Sequence, residues 1–324
     1  MPNVAIVYTD TPTHPIVLTE AHVDYLRSQM ESGEIRWYRS EEEALAERFD
    51  ADVLFCWGRD TPNALSAHYP NLKWIQSLSA GVEGLEKMDA AKREGVILSK
   101  MRAVHGYVMA ETTLAYILSF LRDLPVLRAK QFRHEWDKPG LPRLRECCDT
   151  TVGIFGIGDI GSAVARLCKL MGMTVLGCRR KSVPMENVDQ MYSFENRAEM
   201  LRRCDFVVNL VPDTDATKKL IDASFFDEMK SDAVFINIGR GVSVDTDALV
   251  EALRGGVIAG AALDVTDPEP LGSDSPLWEM ENVIITPHCS ADSRNYFQRA
   301  CHGTLAENLR SYEAGRGVPS AVKY

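Results

Sequence analysis

Short apolar runs alternate with amphipathic segments along the first hundred residues. The runs are rich in β-branched and aromatic residues, which predicts strands, and the segments between them have helical spacing. Strands that alternate with helices form parallel sheets, so the pattern predicts an α/β fold. The predicted strands are residues 4–8, 35–38, 53–57, 74–78 and 96–99, and the predicted helices are residues 19–30, 41–49 and 82–94.

The same alternation restarts at Thr151, after a long apolar helix predicted at residues 110–121 and a charged continuation that reaches Trp136. Six predicted strands with intervening helices suit a doubly wound dinucleotide-binding sheet. A last amphipathic helix is predicted at residues 295–314. We therefore predict two Rossmann-like parallel-sheet domains. The strands of the second half are residues 151–155, 174–178, 206–210, 233–238, 258–263 and 283–286.

A glycine turn, Gly156-Ile157-Gly158-Asp159-Ile160-Gly161, separates the first strand and the first helix of the second half. In that setting backbone N–H groups and the helix N-terminus can hold a pyrophosphate. The three glycines would allow a tight turn, an unobstructed approach of the ligand, and close packing of helix on strand. The string alone also occurs as a purely structural turn. The flanking strand and helix favour dinucleotide binding.

A cluster of cations follows the next predicted strand. NAD-selective sites carry an acidic residue about 20 residues after the glycine motif, but this chain has Arg179, Arg180 and Lys181 there. Because guanidinium matches phosphate geometry, the cluster favours the 2′-phosphate of NADP. The alternative is a solvated basic turn.

Three polar residues follow successive predicted strands at the edge where ligands bind in open α/β sheets. Arg240, between two glycines, can orient a carboxylate and polarise a carbonyl. His288 can exchange a proton near neutral pH, and Glu269 can stabilise the imidazolium and orient its ring. Each residue also has a purely structural explanation. Arg240 could tie its loop to an acidic residue, His288 could be a hydrogen-bonded loop histidine, and Glu269 could be a solvated acid between two prolines. The three together favour a catalytic site.

A further candidate lies in the first half, where Ser77-Leu78-Ser79-Ala80-Gly81-Val82-Glu83 follows a predicted strand. Small residues that lead into a helix can present consecutive N–H groups to a carboxylate. An ordinary strand-to-helix turn would have the same composition.

Composition narrows the classes of partner. The 324 residues carry a net charge of −10, which argues against nucleic acid as a partner because a phosphate backbone would be repelled. The eight cysteines show no zinc-type spacing, and we expect reduced thiols in a cytoplasmic protein. The first residues enter a strand pattern without a signal-peptide layout. No apolar run is long enough to cross a bilayer.

The ordered motifs resemble the D-isomer-specific 2-hydroxyacid dehydrogenase family over nearly the whole chain, and within it the NADPH-linked glyoxylate/hydroxypyruvate reductases. The most specific match begins at Ile236-Asn237-Ile238-Gly239-Arg240-Gly241 and continues through Gly260-Ala261-Ala262-Leu263-Asp264-Val265. It ends with Glu269-Pro270-Leu271 and Asn282-Val283-Ile284-Ile285-Thr286-Pro287-His288. Such an ordered set is far more specific than a single glycine motif.

The resemblance implies a function, a fold and site residues. It implies reduction of a small 2-oxo acid to the D-2-hydroxy acid, with NADPH preferred and NADH also accepted, in a homodimer. It implies a flavodoxin-like substrate-binding domain at residues 1–100 and 289–324 and an NAD(P)-binding Rossmann domain at residues 101–288, with the active site in the cleft between them. The implied catalytic residues are Arg240, Glu269 and His288. The implied cofactor contacts are Gly156, Gly158, Asp159, Ile160, Gly161, Arg179, Arg180, Ile238, Asp264 and Ser290, and the implied substrate contacts are Ala80, Gly81, Val82 and Arg240.

The chain departs from the family pattern at several positions. Lys100-Met101-Arg102 replaces an Asn-containing turn, and Thr112, Asp149 and Ala291 stand where His, Gly and Gly are common. None of these changes removes catalytic chemistry. They leave the choice of substrate open, because residues expected at the outer end of the pocket are involved: Trp57, Gly58, Arg59, Met101 and Arg102.

Two alternative functions use the same fold. One is a nucleotide-sensing regulator similar to the related transcriptional corepressors, which keep a similar catalytic set. The other is an NAD-linked dehydrogenase of the D-lactate or phosphoglycerate type, and the absence of an acid near Arg179 counts against it.

Overall fold

The computed structural model describes residues 2–9, 16–57, 63–82, 84–138, 144–180 and 183–322. Gly58, Arg59, Glu83 and Lys181, which carry predictions above, lie outside these ranges. The strands within them are β1 (Val4–Val7), β2 (Ile35–Tyr38), β3 (Val53–Cys56), β4 (Trp74–Ser77), β5 (Ile97–Ser99), β6 (Thr151–Phe155), β7 (Thr174–Cys178), β8 (Gln190–Tyr192), β9 (Phe206–Asn209), β10 (Val234–Asn237), β11 (Gly260–Leu263) and β12 (Val283–Ile285).

The helices are mostly short and connect the strands. They are α1 (Glu20–Ser28), α2 (Glu41–Ala46), α3 (Asn63–His68), α4 (Gly106–Leu121), α5 (Leu124–Phe132), α6 (Asp159–Leu170), α7 (Arg197–Leu201), α8 (Ala223–Asp227), α9 (Thr246–Arg254), α10 (Tyr296–Ala300) and α11 (Ala306–Glu313). Single turns of 3₁₀ helix occur at Leu85–Lys87, Cys147–Asp149, Phe194–Asn196, Gly241–Ser243 and Pro276–Glu279, and a π-helical turn occurs at Cys301–Leu305. No helix in the described ranges is long and apolar enough to cross a membrane.

The chain forms two compact units. The first comprises Met1–His105 and Asp292–Tyr324, and the second comprises Gly106–Ala291. The divisions predicted from the sequence lie at residues 100/101 and 288/289.

The first unit is a five-stranded parallel sheet with the order β2-β1-β3-β4-β5. This is the flavodoxin-like strand order. Strands β3 and β4 are buried along their whole length, as expected when helices cover both faces of a parallel sheet. One face packs on α1 and the C-terminal helices, and the other packs on residues of α2 and α3. The predicted flavodoxin-like fold is confirmed.

The second unit is a seven-stranded parallel sheet with the order β12-β11-β10-β9-β6-β7-β8. The chain runs from β6 outward to β8 and returns to β9 on the other side of β6, which is the Rossmann arrangement. Ligands of such sheets bind at the carboxyl ends of the strands, near this reversal. The predicted Rossmann fold is therefore confirmed, with β8 as a seventh strand that the apolar pattern does not predict.

The helix predicted at residues 82–94 is wrong. Only Leu85–Lys87 forms a 3₁₀ turn there, because Gly84 adopts a positive φ of 90°. Side chains at α3 bind the backbone instead: Asn63 Oδ1 accepts from the Asp89 N–H at 3.0 Å, and Ser66 Oγ accepts from the Ala90 N–H at 3.3 Å. The single helix predicted at residues 295–314 is instead α10, the π-helical turn and α11, with non-helical dihedral angles at Gly303.

Candidate active site

The carboxyl ends of three neighbouring strands in the second unit carry the predicted catalytic residues. Strands β10, β11 and β12 are parallel, with Asn237 paired to Leu263 and Leu263 paired to Ile285. The segments that follow these residues therefore leave the sheet at one edge. They contain Arg240, Glu269 and His288.

Glu269 and His288 are in direct contact. The imidazole Nδ1 of His288 lies 2.5 Å from Oε1 of Glu269, and each side chain is about a third exposed (31% and 30%). A carboxylate at Nδ1 fixes the plane of the ring and stabilises its positive form. The geometry therefore assigns Nε2 as the ring atom that can exchange a proton with a bound molecule.

The backbone of Arg240 is held by polar side chains at and shortly after the end of β10. Its carbonyl oxygen accepts from Ser243 Oγ at 2.7 Å and from Asn237 Nδ2 at 3.3 Å, and its Nη1 donates to the Gly239 carbonyl at 2.8 Å. A Cβ added at Gly241 would lie 1.8 Å from the Thr266 carbonyl oxygen. Gly241 thus allows the Arg240 segment to pack on the backbone of the segment that carries Glu269.

His288 has a left-handed backbone, with φ of +51°. Asp264, only 2% exposed, holds three consecutive N–H groups of this segment. Its carbonyl oxygen accepts from the His288 N–H at 2.8 Å, and its carboxylate accepts from the N–H groups of Cys289 at 2.9 Å and Ser290 at 3.0 Å. Left-handed non-glycine residues persist only where the surroundings fix them, and here Asp264 does so.

The same carboxylate ends a chain of hydroxyl groups. Thr286 Oγ1 donates to Asp264 Oδ1 at 2.6 Å, and the hydroxyl of Tyr116, on α4, lies 2.6 Å from Thr286 Oγ1. Thr112, one turn earlier on α4, donates to the Ser290 carbonyl at 3.1 Å. Burial raises the pKa of Tyr116 to about 12, and the nearby Asp264 charge adds to the effect.

The glycine turn after β6 is the predicted pyrophosphate loop, and its three glycines have different surroundings. Gly156 adopts a φ of +87°, and a Cβ there would lie 2.7 Å from the Leu210 carbonyl. At Gly158, by contrast, an added Cβ meets no atom within 4 Å, so the space over this residue is open. Gly161 is buried and packs α6 on β6, with the Gly156 carbonyl 3.2 Å from its Cβ position.

The first turn of α6 presents backbone donors at this opening. The N–H groups of Asp159, Ile160 and Gly161 have no acceptor within the helix, because the first turn of any α-helix leaves them unpaired. The Gly158 N–H donates to the Gly156 carbonyl at 3.0 Å. Three amide donors and the positive end of a helix dipole suit a pyrophosphate.

Arg179 and Arg180 directly follow β7, the neighbour of β6. The Arg179 N–H donates to the Tyr192 carbonyl in β8 at 3.3 Å, and its Nη1 lies 3.2 Å from Met185 Sδ. Arg180 is exposed. The two residues that directly follow β7 are therefore both cations. The remaining predicted cofactor contacts, Ile238 and Ser290, are 2% and 3% exposed.

In the first unit, β4 leads into the predicted carboxylate-binding loop. Ser77 Oγ and Ser79 Oγ donate to the Gly81 carbonyl at 2.6 and 3.0 Å. The N–H groups of Ala80, Gly81 and Val82 find no acceptor in the described part of the chain. These donors come from a turn rather than from a helix N-terminus, since the predicted helix after Val82 is absent.

Tyr296 makes a hydrogen bond to the backbone just before this loop. Its hydroxyl donates to the Leu78 carbonyl and lies 3.3 Å from His105 Nε2. Tyr296 is fully buried, and this burial raises its pKa.

Some functional candidates carry no recognisable motif. Tyr116 and Thr286 belong to apolar segments, and Thr112 is visible only as a departure from a family pattern. One signal does exist in the sequence: Thr112 and Tyr116 are four residues apart, so their hydroxyls share one face of a helix. A buried tyrosine hydroxyl also needs a partner.

Comparison with known proteins defines the class. Residues 114–290, more than half of the chain, match the model of the D-isomer specific 2-hydroxyacid dehydrogenase NAD-binding domain. The chain belongs to this family, as its motifs predict, and is an oxidoreductase.

The relatives of this chain include reductases of glyoxylate and hydroxypyruvate. The human glyoxylate reductase/hydroxypyruvate reductase is 35% identical over 265 residues, which cover 80% of this chain and 79% of the relative. The NADPH-dependent glyoxylate/hydroxypyruvate reductase from Sinorhizobium meliloti, solved with NADP and sulfate, superposes with a TM-score of 0.80 at 28% identity over 99% of this chain and 98% of that one. A D-isomer specific 2-hydroxyacid dehydrogenase from Xanthobacter autotrophicus Py2, solved with NADPH and MES, gives a TM-score of 0.84 at 28% identity over 100% and 98%.

Proposed function

We propose that the protein reduces a small 2-oxo acid of the glyoxylate or hydroxypyruvate type to the D-2-hydroxy acid with NADPH, and that His288 donates the proton. The observation that carries the proposal is the 2.5 Å contact between His288 Nδ1 and Glu269 Oε1. The contact lies at the strand edge that also carries Arg240. A charged, oriented imidazole is the group that a carbonyl reduction needs.

The residues at this edge fit a nicotinamide dinucleotide. The open space over Gly158 and the donors of the first turn of α6 would hold the pyrophosphate. Arg179 and Arg180 would hold a 2′-phosphate, which supports NADPH over NADH. Ile238, Asp264 and Ser290 would lie towards the nicotinamide end. When bound, the reduced cofactor supplies a hydride to the substrate.

His288 holds and delivers the proton. Because Glu269 occupies Nδ1, the proton that reaches the substrate oxygen is the one at Nε2. Glu269 keeps the ring turned and favours its charged form. It acts through His288 rather than on the substrate.

Arg240 binds the substrate carboxylate and polarises the ketone. Its fixed charge and planar fork suit a carboxylate, and its attraction for the reacting oxygen grows as negative charge develops there. The first unit has donors of its own: the N–H groups of Ala80, Gly81 and Val82, which find no acceptor in the described part of the chain, support a role of this loop in binding a carboxylate.

A substrate panel with both reduced cofactors tests the proposal. Glyoxylate, hydroxypyruvate, pyruvate and a larger 2-oxo acid are each assayed with NADPH and NADH, in wild type and in Arg240→Lys. We expect turnover of the small acids with NADPH. Arg240→Lys should raise the KM for the acid and lower kcat, because an ammonium lacks the planar fork. No turnover of any 2-oxo acid would contradict the proposal.

We also propose that two copies pair through the segment after α4. Helix α5 has no buried residue, and Phe132 and Trp136 are 70% and 101% exposed. Large exposed apolar side chains that lie close together mark interaction surfaces. Light scattering should give the mass of a dimer for wild type and of a monomer for Phe132→Glu/Trp136→Glu. A monomeric wild type would contradict this pairing.

We place the reaction in the cytoplasm. None of the eight cysteines forms a disulfide bond, which is the usual state in a reducing compartment.

A further inference from the structure

We propose that Tyr116 and Thr112 are positioning residues for His288, which they hold in place through the backbone segment of residues 286–290. This inference rests on the proposed role of His288 as proton donor. Their hydrogen bonds are made to Thr286 and to the backbone of Ser290. Their effect passes through Thr286, Asp264 and the backbone of residue 290.

The segment that needs support is short and conformationally restricted. The left-handed φ of His288 is unfavourable for a residue with a Cβ, so the segment would relax if its hydrogen bonds were loosened. Asp264 supplies three of these hydrogen bonds, to the N–H groups of residues 288–290. The direction of the imidazole therefore depends on where the Asp264 carboxylate lies.

Tyr116 fixes that carboxylate through Thr286. A carboxylate accepts and does not donate, and Thr286 Oγ1 donates its one proton to Asp264. The short contact between Thr286 and Tyr116 is then a hydrogen bond that the Tyr116 hydroxyl donates. The chain Tyr116, Thr286, Asp264 has a single direction, and its members are held by distances of 2.6 Å.

Thr112 holds the far end of the same segment. Its hydroxyl donates to the Ser290 carbonyl, while the Ser290 N–H donates to Asp264. Thr112 and Tyr116 lie one turn apart on α4, so one face of this helix makes hydrogen bonds to the segment on both sides of His288. Because the helix is packed in the second unit, these hydrogen bonds fix the position of the segment and of the histidine that it carries.

Thr113 provides a matched control on the same helix. Its side chain is fully buried, and its hydroxyl donates to the Met109 carbonyl within α4 at 2.7 Å. Thr113→Val removes one buried hydroxyl, as Tyr116→Phe does, but leaves the histidine segment untouched. A general loss of packing or of hydrogen bonding would affect both variants.

The experiment measures turnover and local hydrogen exchange in four variants: Tyr116→Phe, Thr112→Val, Thr113→Val and His288→Gln. We expect Tyr116→Phe to lower kcat about 10–100-fold, the scale of a displacement of about 1 Å, with little change in KM. Amides of residues 288–290 should exchange faster in Tyr116→Phe and in Thr112→Val than in wild type. Thr113→Val should match wild type in both readouts.

Two substitutions at Thr286 distinguish a positioning role from a general effect on stability. Thr286→Ser keeps the hydroxyl and should retain most of the turnover, whereas Thr286→Val should resemble Tyr116→Phe. The proposal is overturned if Tyr116→Phe and Thr113→Val have the same turnover, or if exchange at residues 288–290 is unchanged in Tyr116→Phe. Near-normal turnover of His288→Gln would instead contradict the proposed role of His288 as proton donor. The hydrogen-exchange rates of residues 288–290 would still test the hydrogen-bond chain.

Discussion

Glu269 Oε1 and His288 Nδ1 lie 2.5 Å apart, although they follow different strands and are 19 residues apart in the chain. The contact gives the imidazole a fixed negative neighbour on one side. A ring that is held at Nδ1 keeps one orientation, so it can present Nε2 to a bound molecule.

Glu269→Gln should lower the kcat for a 2-oxo acid, because the imidazole is held less firmly. An amide of the same shape cannot make a charge-assisted hydrogen bond with Nδ1, and such bonds are about twice as strong as neutral ones. Glu279→Gln, the same change on an exposed residue of the second unit, serves as the control. Equal kcat values for wild type and Glu269→Gln would argue against the pairing.

Gly158→Ala should weaken cofactor binding without weakening the fold. The new Cβ meets no protein atom within 4 Å, but it would occupy the space proposed for the pyrophosphate. We expect an unchanged thermal midpoint and a raised KM for NADPH. Gly156→Ala should instead lower the thermal midpoint, because it combines a φ of +87° with a 2.7 Å contact to backbone. If Gly158→Ala bound NADPH as well as wild type, the loop would not be the phosphate site.

Arg179→Asp should reverse the preference between cofactors. Wild type should favour NADPH because a guanidinium attracts the 2′-phosphate, and an aspartate there would repel the phosphate and accept from the ribose hydroxyls of NADH. The ratio of kcat/KM values for NADPH and NADH measures this. Arg254→Asp serves as the control for the change in net charge. Arg254 is the last residue of α9, at the end of that helix away from the strand ends that carry the candidate site. A wild type that prefers NADH would defeat the phosphate-pocket argument.

Much of this architecture can be predicted from the sequence, for a physical reason. Strands buried on both faces appear as uninterrupted apolar runs, so β3, β4, β6 and β9 are found within a residue or so of their ends. The short strand β8 is half exposed and carries no such run.

Interactions between distant residues could not be predicted in this way. The false helix after Val82 fails because Gly84 turns the chain and α3 binds its backbone. Likewise, the bonds that hold His288 join residues that are 22–26 apart, or 170 apart for Tyr116 and Thr286. No local pattern marks them. The proposed catalytic residues are recognisable because they lie in motifs that occur in a fixed order along the chain.

Asp205 should make stability depend on pH below neutrality. Burial raises the pKa of this carboxyl, but hydrogen bonds from Arg145, Lys230 and the Thr151 N–H outweigh burial and hold the pKa below its ordinary value. A lowered pKa stabilises the fold at pH values above the unfolded value of about 3.9, and the contribution is lost as pH falls through the folded value.

Asp205→Asn should thus lower the free energy of unfolding by about 1.5–3 kcal/mol at pH 7, the range for hydrogen bonds to charged groups. The difference from wild type should shrink as the pH falls below about 4. Denaturation at several pH values measures it. Asp215→Asn removes only a solvent-exposed ion pair with Lys218, from a side chain that is 99% exposed, so its effect should be much smaller. A pH-independent penalty for Asp205→Asn would exclude the charge as its cause.

The most direct test of the proposed mechanism is the turnover of glyoxylate with NADPH by His288→Gln. A positioned acid contributes about 10²–10⁴-fold, so we expect kcat to fall by that factor while His68→Gln, on a half-buried histidine of the first unit, keeps wild-type turnover. The substituted protein should keep the wild-type thermal midpoint, so that misfolding cannot explain the loss. Near-normal turnover of His288→Gln would contradict the assignment of this histidine as the proton donor.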